Sequence, residues 1–320
     1  MISSFLVQLL ILGLILLLVA ALWSPFEALG WWAGWFGSRP HQLVERPLDD
    51  PDKVTMQYVV YLSGIGAIGG DFLEREEQAF LDRLQEQLPQ IKVVRDVFPY
   101  AMNNNGLTGQ RFFTMMWRWI KQLKLQNHAV LTNLINIRNM FQVAVSADRR
   151  YGPIYNYGTA GVIVDGLLRS GYRMSSGIPV TLLGFSGGVQ VALGSATYLK
   201  PLLQAPLSII SFGGVMADDP GLEMIEHLYH FRGSRDPVNR LGAIAYAGRW
   251  PLLSYSPWNK ARRQGKITEI SAGPVTHNDP GGYFLPESEQ EPYEETPQGK
   301  IFAQVVALLQ AVMNEQKAAG

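Results

Sequence analysis

The sequence predicts an α/β domain built on a mostly parallel, doubly wound sheet. Short apolar runs bounded by turn residues recur along the chain, and most lack the alternation of a half-exposed strand, as expected of parallel strands covered on both faces. Segments with helical character separate these runs, and strands that alternate with helices favour a doubly wound sheet. The 320 residues, of which 47% are hydrophobic, suffice for one large domain.

The apolar runs predict strands at 58–62, 91–98, 179–185, 206–212, 227–233 and 266–272. The helical segments between and after them are Phe72–Leu88, Tyr157–Ser170, Val189–Leu199 and Ile301–Met313. The segment 280–299 is acidic and rich in Pro and Gly, so it predicts an exposed loop before the last helix.

Composition excludes several classes of function. The 27 Lys and Arg residues balance the 27 Asp and Glu residues, so no net charge attracts nucleic acid, and none is expected as a partner. The absence of Cys excludes disulfides, thiolate metal sites and a cysteine nucleophile. Among five scattered histidines, His227 and His230 could share a helix face, but two ordinary histidines are the favoured interpretation. Neither a metal nor a cofactor is expected.

The first 40 residues predict a membrane anchor and an interfacial segment. Phe5–Trp23 contains 19 residues without a charge, and a helix of that length spans roughly 28 Å, which matches a bilayer core. The aromatic residues that follow suit the membrane interface, and they are Trp31, Trp32, Trp35 and Phe36. A signal peptide is disfavoured because no cation precedes the run and no cleavage site follows it. The cations lie after the run, so the domain is expected on the cytoplasmic side.

The clearest chemical signal is the sequence Gly-Phe-Ser-Gly-Gly at 184–188. It follows one apolar run and precedes a helical segment, which is the strand, sharp turn and helix of a nucleophile elbow. The Ser186 hydroxyl is a poor nucleophile near neutral pH, so a His and an acid are needed to activate it. Asp236 follows the predicted strand 227–233, and His277 lies in the loop after the next strand. The sequence therefore carries a candidate triad in the order Ser, Asp, His.

From Tyr58 to the C-terminus these residues resemble the α/β-hydrolase superfamily, in particular its serine esterases and lipases. The resemblance implies an α/β-hydrolase fold, with Ser186 as nucleophile, His277 as general base and acid, and Asp236 as the group that orients the imidazole. The chain is also similar to uncharacterised membrane-anchored hydrolases of photosynthetic bacteria, and this similarity assigns no substrate.

The same resemblance implies an oxyanion hole made of backbone N–H groups. The N–H of Gly187, directly after the nucleophile, would be one donor. The second donor would come from Ser63-Gly64-Ile65 after the first predicted strand, with Ile65 as the expected residue. Ser63 departs from the pattern of many relatives, which carry His at this position.

Two alternatives remain at the sequence level. Asp218 and Asp219 also follow a predicted strand and could serve as the acid in place of Asp236. Residues 64–69 read as a literal G-x-G-x-x-G, with Asp96 as a ribose ligand, which would indicate a dinucleotide site. Against it, Asp96 comes 32 residues after Gly64 and acidic residues crowd the following helix start, where a pyrophosphate needs positive potential.

The domain at 41–320 is expected to contain a helical insertion at about 101–150. No acidic residue occurs at 97–147, and Arg111–Leu125 would place an aromatic and aliphatic face opposite its cations on a helix. Such a helix could lie at an anionic membrane surface, or it could be an ordinary cap that packs on the domain.

Together these features predict a membrane-anchored serine hydrolase that acts without a cofactor. The expected substrate is a carboxylic ester of a lipid or another hydrophobic acyl compound, with membrane lipid as the partner, although thioesters, amides and acyl transfer use the same residues. The alternative is a catalytically silent protein of the same fold that binds or organises a partner at the membrane.

Overall fold

A computed structural model describes residues 55–69, 73–101, 129–286 and 292–319, together with Ile11, Ile15 and Val19. Within these residues the strands form one six-stranded, all-parallel sheet in the order β2-β1-β3-β4-β5-β6. The strands are β1 (Gln57–Leu62), β2 (Ile91–Val94), β3 (Val180–Phe185), β4 (Leu207–Phe212), β5 (Leu228–Arg232) and β6 (Ile267–Ser271). The predicted α/β class and parallel sheet are confirmed.

Helices cover both faces of this sheet. One face packs against α1 (Arg75–Gln87) and α8 (Pro297–Ala319). The other face packs against α3 (Gly152–Arg169), α4 (Gly188–Leu203) and α7 (Pro257–Arg263). The remaining described helices are α2 (Ala129–Ala147), α5 (Gly221–Met224) and α6 (Leu241–Ala245). Because both faces are covered, two apolar cores form, one on each side of the sheet.

Strand β1 shows why the strand sequences lack alternation. Tyr58, Val60 and Leu62 point into one core, and Val59 and Tyr61 point into the other. All five side chains are buried, so a polar residue on either face would lose its hydration. A continuous apolar run is the consequence, and it distinguishes this strand from one at the surface of an antiparallel sheet.

The element boundaries correct several predictions. Strand β2 ends at Val94, four residues before the predicted end. Helix α3 begins at Gly152 instead of Tyr157, since Pro153 stands in its first turn, where a missing N–H group costs nothing. Helix α8 begins at Pro297, so the predicted loop to residue 299 is wrong in its last residues. The Thr296 hydroxyl, which accepts a hydrogen bond from the Gly299 N–H at 3.1 Å, caps this start.

Several predictions fall on residues that the structure does not describe. Of the predicted anchor, Ile11, Ile15 and Val19 are described, and they are helical and exposed. The interfacial aromatic residues and Arg111–Leu125 lie outside the described residues. Of the predicted insertion, the described part contains α2. A search of the described residues finds no helix that combines the length and the apolar character needed to cross a bilayer.

Truncating a side chain in the central strand should destabilise the fold. Leu182 of β3 is fully buried in the core that contains α3 and α4. We expect Leu182→Ala to lower the free energy of unfolding by about 2–5 kcal/mol, because it removes apolar contacts and leaves a cavity. Denaturant titration measures this change. Leu202→Ala, at a position that is 45% exposed, is the control and should cost less than about 0.5 kcal/mol. Equal effects of the two substitutions would contradict the assigned burial.

Candidate active site

Ser186 stands on a sharp turn between strand β3 and helix α4. Its φ angle is +52°, in the left-handed region that a residue with a side chain seldom adopts. Neighbouring backbone holds this conformation: the Ser186 N–H donates to the Phe212 carbonyl at 3.0 Å, and its own carbonyl accepts from the Val215 N–H at 3.2 Å. The turn is therefore tied to strand β4 and the loop that follows it, so the hydroxyl has a fixed position beyond the sheet.

The glycine at the start of helix α4 allows this turn to pack against strand β1. A Cβ atom at Gly188 would overlap the carbonyl oxygens of Leu62 and Ser63. Backbone atoms cannot move away as a flexible side chain can, so a larger residue would push the helix off the sheet. Gly188, the last glycine of the Gly-Phe-Ser-Gly-Gly motif, is thus required by the close approach of two backbones.

His277 and Asp236 complete a hydrogen-bonded chain with Ser186. Ser186 Oγ lies 2.9 Å from His277 Nε2, and His277 Nδ1 lies 3.0 Å from Asp236 Oδ2. Asp236 lies in the loop after β5, and His277 lies in the loop after β6. Because all strands run parallel, the loops after their carboxyl ends meet at one edge of the sheet. The three predicted residues are thus brought together, although they are separated by up to 91 positions.

The imidazole of His277 is held on its ring face as well as at its nitrogens. It stacks on the Phe185 ring with a centroid distance of 5.0 Å and an interplanar angle of 26°. Its side chain is 13% exposed, so solvent reaches it from the cavity but does not surround it. With Nδ1 directed at a carboxylate, the proton on the ring resides there, and Nε2 is left to accept the Ser186 proton.

The Asp236 carboxylate is buried and surrounded by donors. Its Oδ1 accepts from the Val238 and Asn239 N–H groups at 2.8 and 3.3 Å, and its Oδ2 accepts from the Tyr283 hydroxyl at 2.8 Å as well as from His277. Burial alone raises the pKa of Asp236, but the hydrogen bonds from His277, Tyr283 and Val238 together with the charge of His277 outweigh burial and lower it. Asp236 is therefore ionised at neutral pH.

Tyr283 is a contact that the sequence interpretation missed. Its hydroxyl accepts from the Gly233 N–H at 2.9 Å, so its single proton is committed to Asp236. Burial and the nearby Asp236 charge raise the pKa of Tyr283 well above its usual value, which keeps that proton in place. A Cβ atom at Gly213, whose φ is +53°, would meet both Asp236 and the Tyr283 ring. The sequence signal that could have indicated this contact is that Tyr283 lies in the same loop as His277.

The predicted oxyanion residues lie beside the nucleophile. A Cβ atom built on Gly64 would lie 3.5 Å from Ser186 Cβ, and one built on Gly187 would lie 2.9 Å from Ile65 Cγ2. Gly64 and Ala67 close a turn, in which the Ala67 N–H donates to the Gly64 carbonyl at 3.1 Å. The N–H groups of Ile65 and Gly187 have no hydrogen-bond partner within the part of the chain that the structure describes.

Helix α2 and Tyr100 fix the loop that carries Ile65. The Asn139 side-chain amide donates to the carbonyls of Ile65 and Ala67 at 2.7 and 2.8 Å, and the Tyr100 hydroxyl donates to the Ser63 carbonyl at 2.8 Å. These bonds satisfy the carbonyl groups of Ser63, Ile65 and Ala67, and they hold the loop that carries the Ile65 N–H group. Asn139 has no local motif that points to this role, because the loop it binds is more than 70 positions away.

A cavity of about 600 Å³ opens beside Ser186 and His277. Its apolar lining includes Ile65, Ala67, Phe185, Val238, Leu241 and Phe284. Four carboxyl groups also line it, from Glu74, Glu76, Glu77 and Asp279. The volume is that of an ordinary small-molecule site, and the combination of apolar walls with a few polar groups is typical of one.

The alternative acids lie elsewhere. Asp218 pairs with Arg149 at 2.9 Å, and the Asp219 carboxylate accepts from the Gly221 N–H and the Gln190 side chain. Neither contacts His277.

The alternative dinucleotide interpretation also fails on geometry. Helix α1 begins at Arg75, beyond the glycine-rich turn, and Asp96 pairs with Arg169 at 2.7 Å.

The two neighbouring histidines do not share a helix face. His230 lies in strand β5, where it is fully buried with Nδ1 2.9 Å from the Ser211 hydroxyl, and burial lowers its pKa to about 3. His227 precedes the strand, and its Nε2 lies 2.8 Å from the Thr268 hydroxyl. A search of the described residues found no group of three or more His, Asp or Glu side chains that could hold a metal ion.

Comparison with known proteins gives no assignment of this site. Neither a scan against protein-family models nor a search of curated proteins found a match to this chain.

Glu77 is the carboxyl group of the cavity whose burial is least offset by hydrogen bonds. It lies in the first turn of α1 with 6% of its surface exposed, and Oε2 accepts from the Glu74 N–H at 3.3 Å. Burial raises the pKa of Glu77 to about 7, since it opposes the charged form more strongly than the surrounding hydrogen bonds favour it. Glu77 thus holds a proton over much of the acidic range in which an exposed carboxyl has lost it.

This raised pKa predicts a pH-dependent stability. Between about pH 4.5 and pH 7 the folded state keeps the Glu77 proton that the unfolded state releases, so stability falls as pH rises. We expect the free energy of unfolding of the wild type to fall by about 3 kcal/mol across this window relative to Glu77→Gln, which preserves the capping interaction. Denaturant titrations at several pH values measure the difference. Glu86→Gln, exposed on the same helix, should run parallel to the wild type, and a pH-independent difference for Glu77→Gln would refute the assignment.

Proposed function

We propose that this chain is a membrane-anchored serine hydrolase with an α/β-hydrolase fold, which cleaves carboxylic esters through an acyl-enzyme. The observation that carries the proposal is the chain of contacts Ser186–His277–Asp236, at 2.9 and 3.0 Å, on a turn with a left-handed serine. A turn serine without a function has no need for a strained backbone, a stacked imidazole and a buried carboxylate in series.

The sheet supports the assignment of the fold. The nucleophile follows β3, the acid follows β5, and the histidine follows β6, in a sheet of order β2-β1-β3-β4-β5-β6. The chain order of Ser, Asp and His is that of the α/β-hydrolases, to which the nucleophile elbow also belongs.

In the first half of the reaction, Ser186 Oγ attacks the ester carbonyl carbon while its proton moves to His277 Nε2. The carbonyl oxygen becomes an oxyanion, which the N–H groups of Gly187 and Ile65 stabilise. Asp236 stabilises the imidazolium by charge and by its hydrogen bond to Nδ1. The bond to the alcohol oxygen then breaks, and that oxygen takes the proton from Nε2, which leaves the acyl group on Ser186.

In the second half, water replaces the alcohol. Nε2 of His277 takes one water proton as the water oxygen attacks the acyl carbon, and the same oxyanion donors hold the second tetrahedral intermediate. Collapse of this intermediate returns the proton to Ser186 Oγ and releases the carboxylic acid. Every proton in the cycle passes through one nitrogen, so no cofactor is required.

The favoured substrate is a lipid ester or another hydrophobic acyl ester. The uncharged run Phe5–Trp23 supports a location at a membrane, and the aliphatic and aromatic walls of the cavity suit an acyl chain. Glu74, Glu76 and Asp279 in the same lining disfavour a substrate that places negative charge near them. We therefore propose a substrate that is uncharged around the scissile ester.

Labelling by a fluorescent fluorophosphonate tests for an activated nucleophile. We expect the detergent-solubilised wild type to label, and Ser186→Ala and His277→Ala to lose labelling, since one removes the nucleophile and the other its base. Asp236→Asn should slow labelling by roughly 10³ to 10⁴, because it no longer stabilises the imidazolium.

The matched control is Asp219→Asn. Asp219 is a buried carboxylate of the neighbouring loop that does not contact His277, so its substitution should leave the labelling rate within about threefold of the wild type. A folded wild type that does not label would support a catalytically silent protein. A loss for Asp219→Asn equal to that for Asp236→Asn would remove Asp236 from its proposed role.

The second oxyanion donor can be tested by removing a single N–H group. Ile65 is the second residue of the turn Gly64–Ala67, a position that accepts proline without change of backbone conformation. We expect Ile65→Pro to lower kcat by roughly 10² to 10³, the usual cost of one lost oxyanion donor.

Ile65→Ala keeps the N–H group and removes the side chain, so it separates the two contributions. It should retain kcat within about tenfold of the wild type. The midpoint of thermal unfolding shows whether the proline variant keeps its fold. A folded Ile65→Pro protein with wild-type kcat would exclude the Ile65 N–H as a donor.

A further inference from the structure

The segment after Asp236 exposes large apolar side chains next to the cavity. Ile244 is 69% exposed, Leu252 is 88% exposed and Tyr255 is 79% exposed. Leu241 and Trp250 are about half exposed, and Leu241 also lines the cavity beside Ser186. We call these five residues the docking face. Exposed large apolar side chains that recur within one short segment are typical of a surface that meets a partner or a membrane.

Hydrogen bonds hold the docking face in this exposed arrangement. The Trp250 indole N–H donates to the Ala243 carbonyl at 2.9 Å, which fixes the ring against helix α6. The buried Asn259 side chain donates to the carbonyls of Trp250 and Leu253 at 2.8 and 3.0 Å, so the loop that carries Leu252 cannot fold inward without losing them. Exposure is therefore a built feature of this surface.

The chain segment that carries the docking face has charged residues of one sign. No acidic residue occurs between Asp236 and Glu269, whereas this stretch contains six Lys and Arg residues. Arg240, Arg262 and Arg263 are exposed and form no ion pair within the described residues. Lys260 pairs with Glu223 at 2.7 Å, so its charge is offset. The surface thus presents cations beside apolar groups.

We propose that the docking face binds the surface of a bilayer that contains anionic lipid. Aliphatic side chains enter the headgroup boundary, Trp and Tyr rings settle at the same depth, and arginines attract anionic headgroups. A second protein with an acidic rim is the competing occupant, but one face that offers aromatic, aliphatic and cationic groups together fits the layered chemistry of a bilayer surface best. One consequence of this inference rests on the proposed function: the cavity beside Leu241 receives its ester from the bilayer.

The chain contains no cysteine, so a single thiol can be placed at will. Leu252→Cys in the full-length protein is labelled with an environment-sensitive fluorophore and reconstituted in phosphatidylcholine vesicles with or without phosphatidylglycerol. Brominated acyl chains serve as the quencher. We expect quenching of the label at position 252 in the anionic vesicles and its reduction in high salt, which screens the arginines.

Leu202→Cys is the matched control. Leu202 is 45% exposed near the end of helix α4, at the sheet edge opposite Ser186, so its label should stay unquenched. Equal quenching at the two positions would overturn the proposal. So would quenching at position 252 that is unchanged by phosphatidylglycerol. A label at position 252 that is shielded without lipid, in proportion to protein concentration, would assign the face to a second copy of the chain.

The same measurement on Ser186→Ala separates this inference from the proposed function. Binding needs no turnover, so the quenching should persist in that variant.

In the active protein, Leu252→Glu should lower hydrolysis of an ester in anionic vesicles by roughly tenfold and leave hydrolysis of a soluble short-chain ester unchanged. Quenching without hydrolysis by the wild type would leave the docking face intact and refute the esterase. An equal loss on both esters would show that Leu252 acts on the cavity and not on the bilayer.

Discussion

The buried carboxylate of Asp236 is the group on which the rest of the candidate site depends. It joins the loop after β5 to the loop after β6 through His277 and Tyr283, and the bare backbone of Gly213 after β4 leaves room for it. Ser186 is tied to the same region through backbone hydrogen bonds to β4 and its following loop. A shift of Asp236 would therefore displace the imidazole of His277 and move the carboxylate charge away from it.

Two buried carboxyl groups in this region show how local donors decide protonation. Asp236 accepts hydrogen bonds from two backbone N–H groups, a tyrosine and a histidine, and they hold its pKa below the usual value despite burial. Glu77 has a backbone donor at 3.3 Å, and burial raises its pKa to about 7. The difference in their surroundings keeps Asp236 ionised at neutral pH and leaves Glu77 with a pKa near 7.

The sequence predicts the parallel sheet, and it singles out three residues that the structure brings within hydrogen-bond distance, because both depend on local patterns in a parallel topology. Buried strands require continuous apolar runs, and parallel strands bring their following loops to one edge. Tyr283 and Asn139 were missed because their contacts do not follow from a local pattern. Each forms two hydrogen bonds to a loop that is distant in the sequence, and no local motif marks such bonds in advance. The starts of helices α3 and α8 were predicted too late, and each helix has a proline in its first turn.

The distribution of charge connects the proposed docking face with the cavity. Arg240, Arg262 and Arg263 lie on the exposed side of the segment, whereas the carboxyl groups of Glu74, Glu76 and Asp279 line the cavity next to Ser186. An anionic headgroup is attracted to the first set and repelled by the second, so it remains at the surface. In the proposed function, an uncharged ester suffers no such repulsion and crosses from the bilayer past Leu241 to Ser186. The proposed function and the proposed docking face together combine attraction to an anionic membrane with selection of a neutral substrate from it.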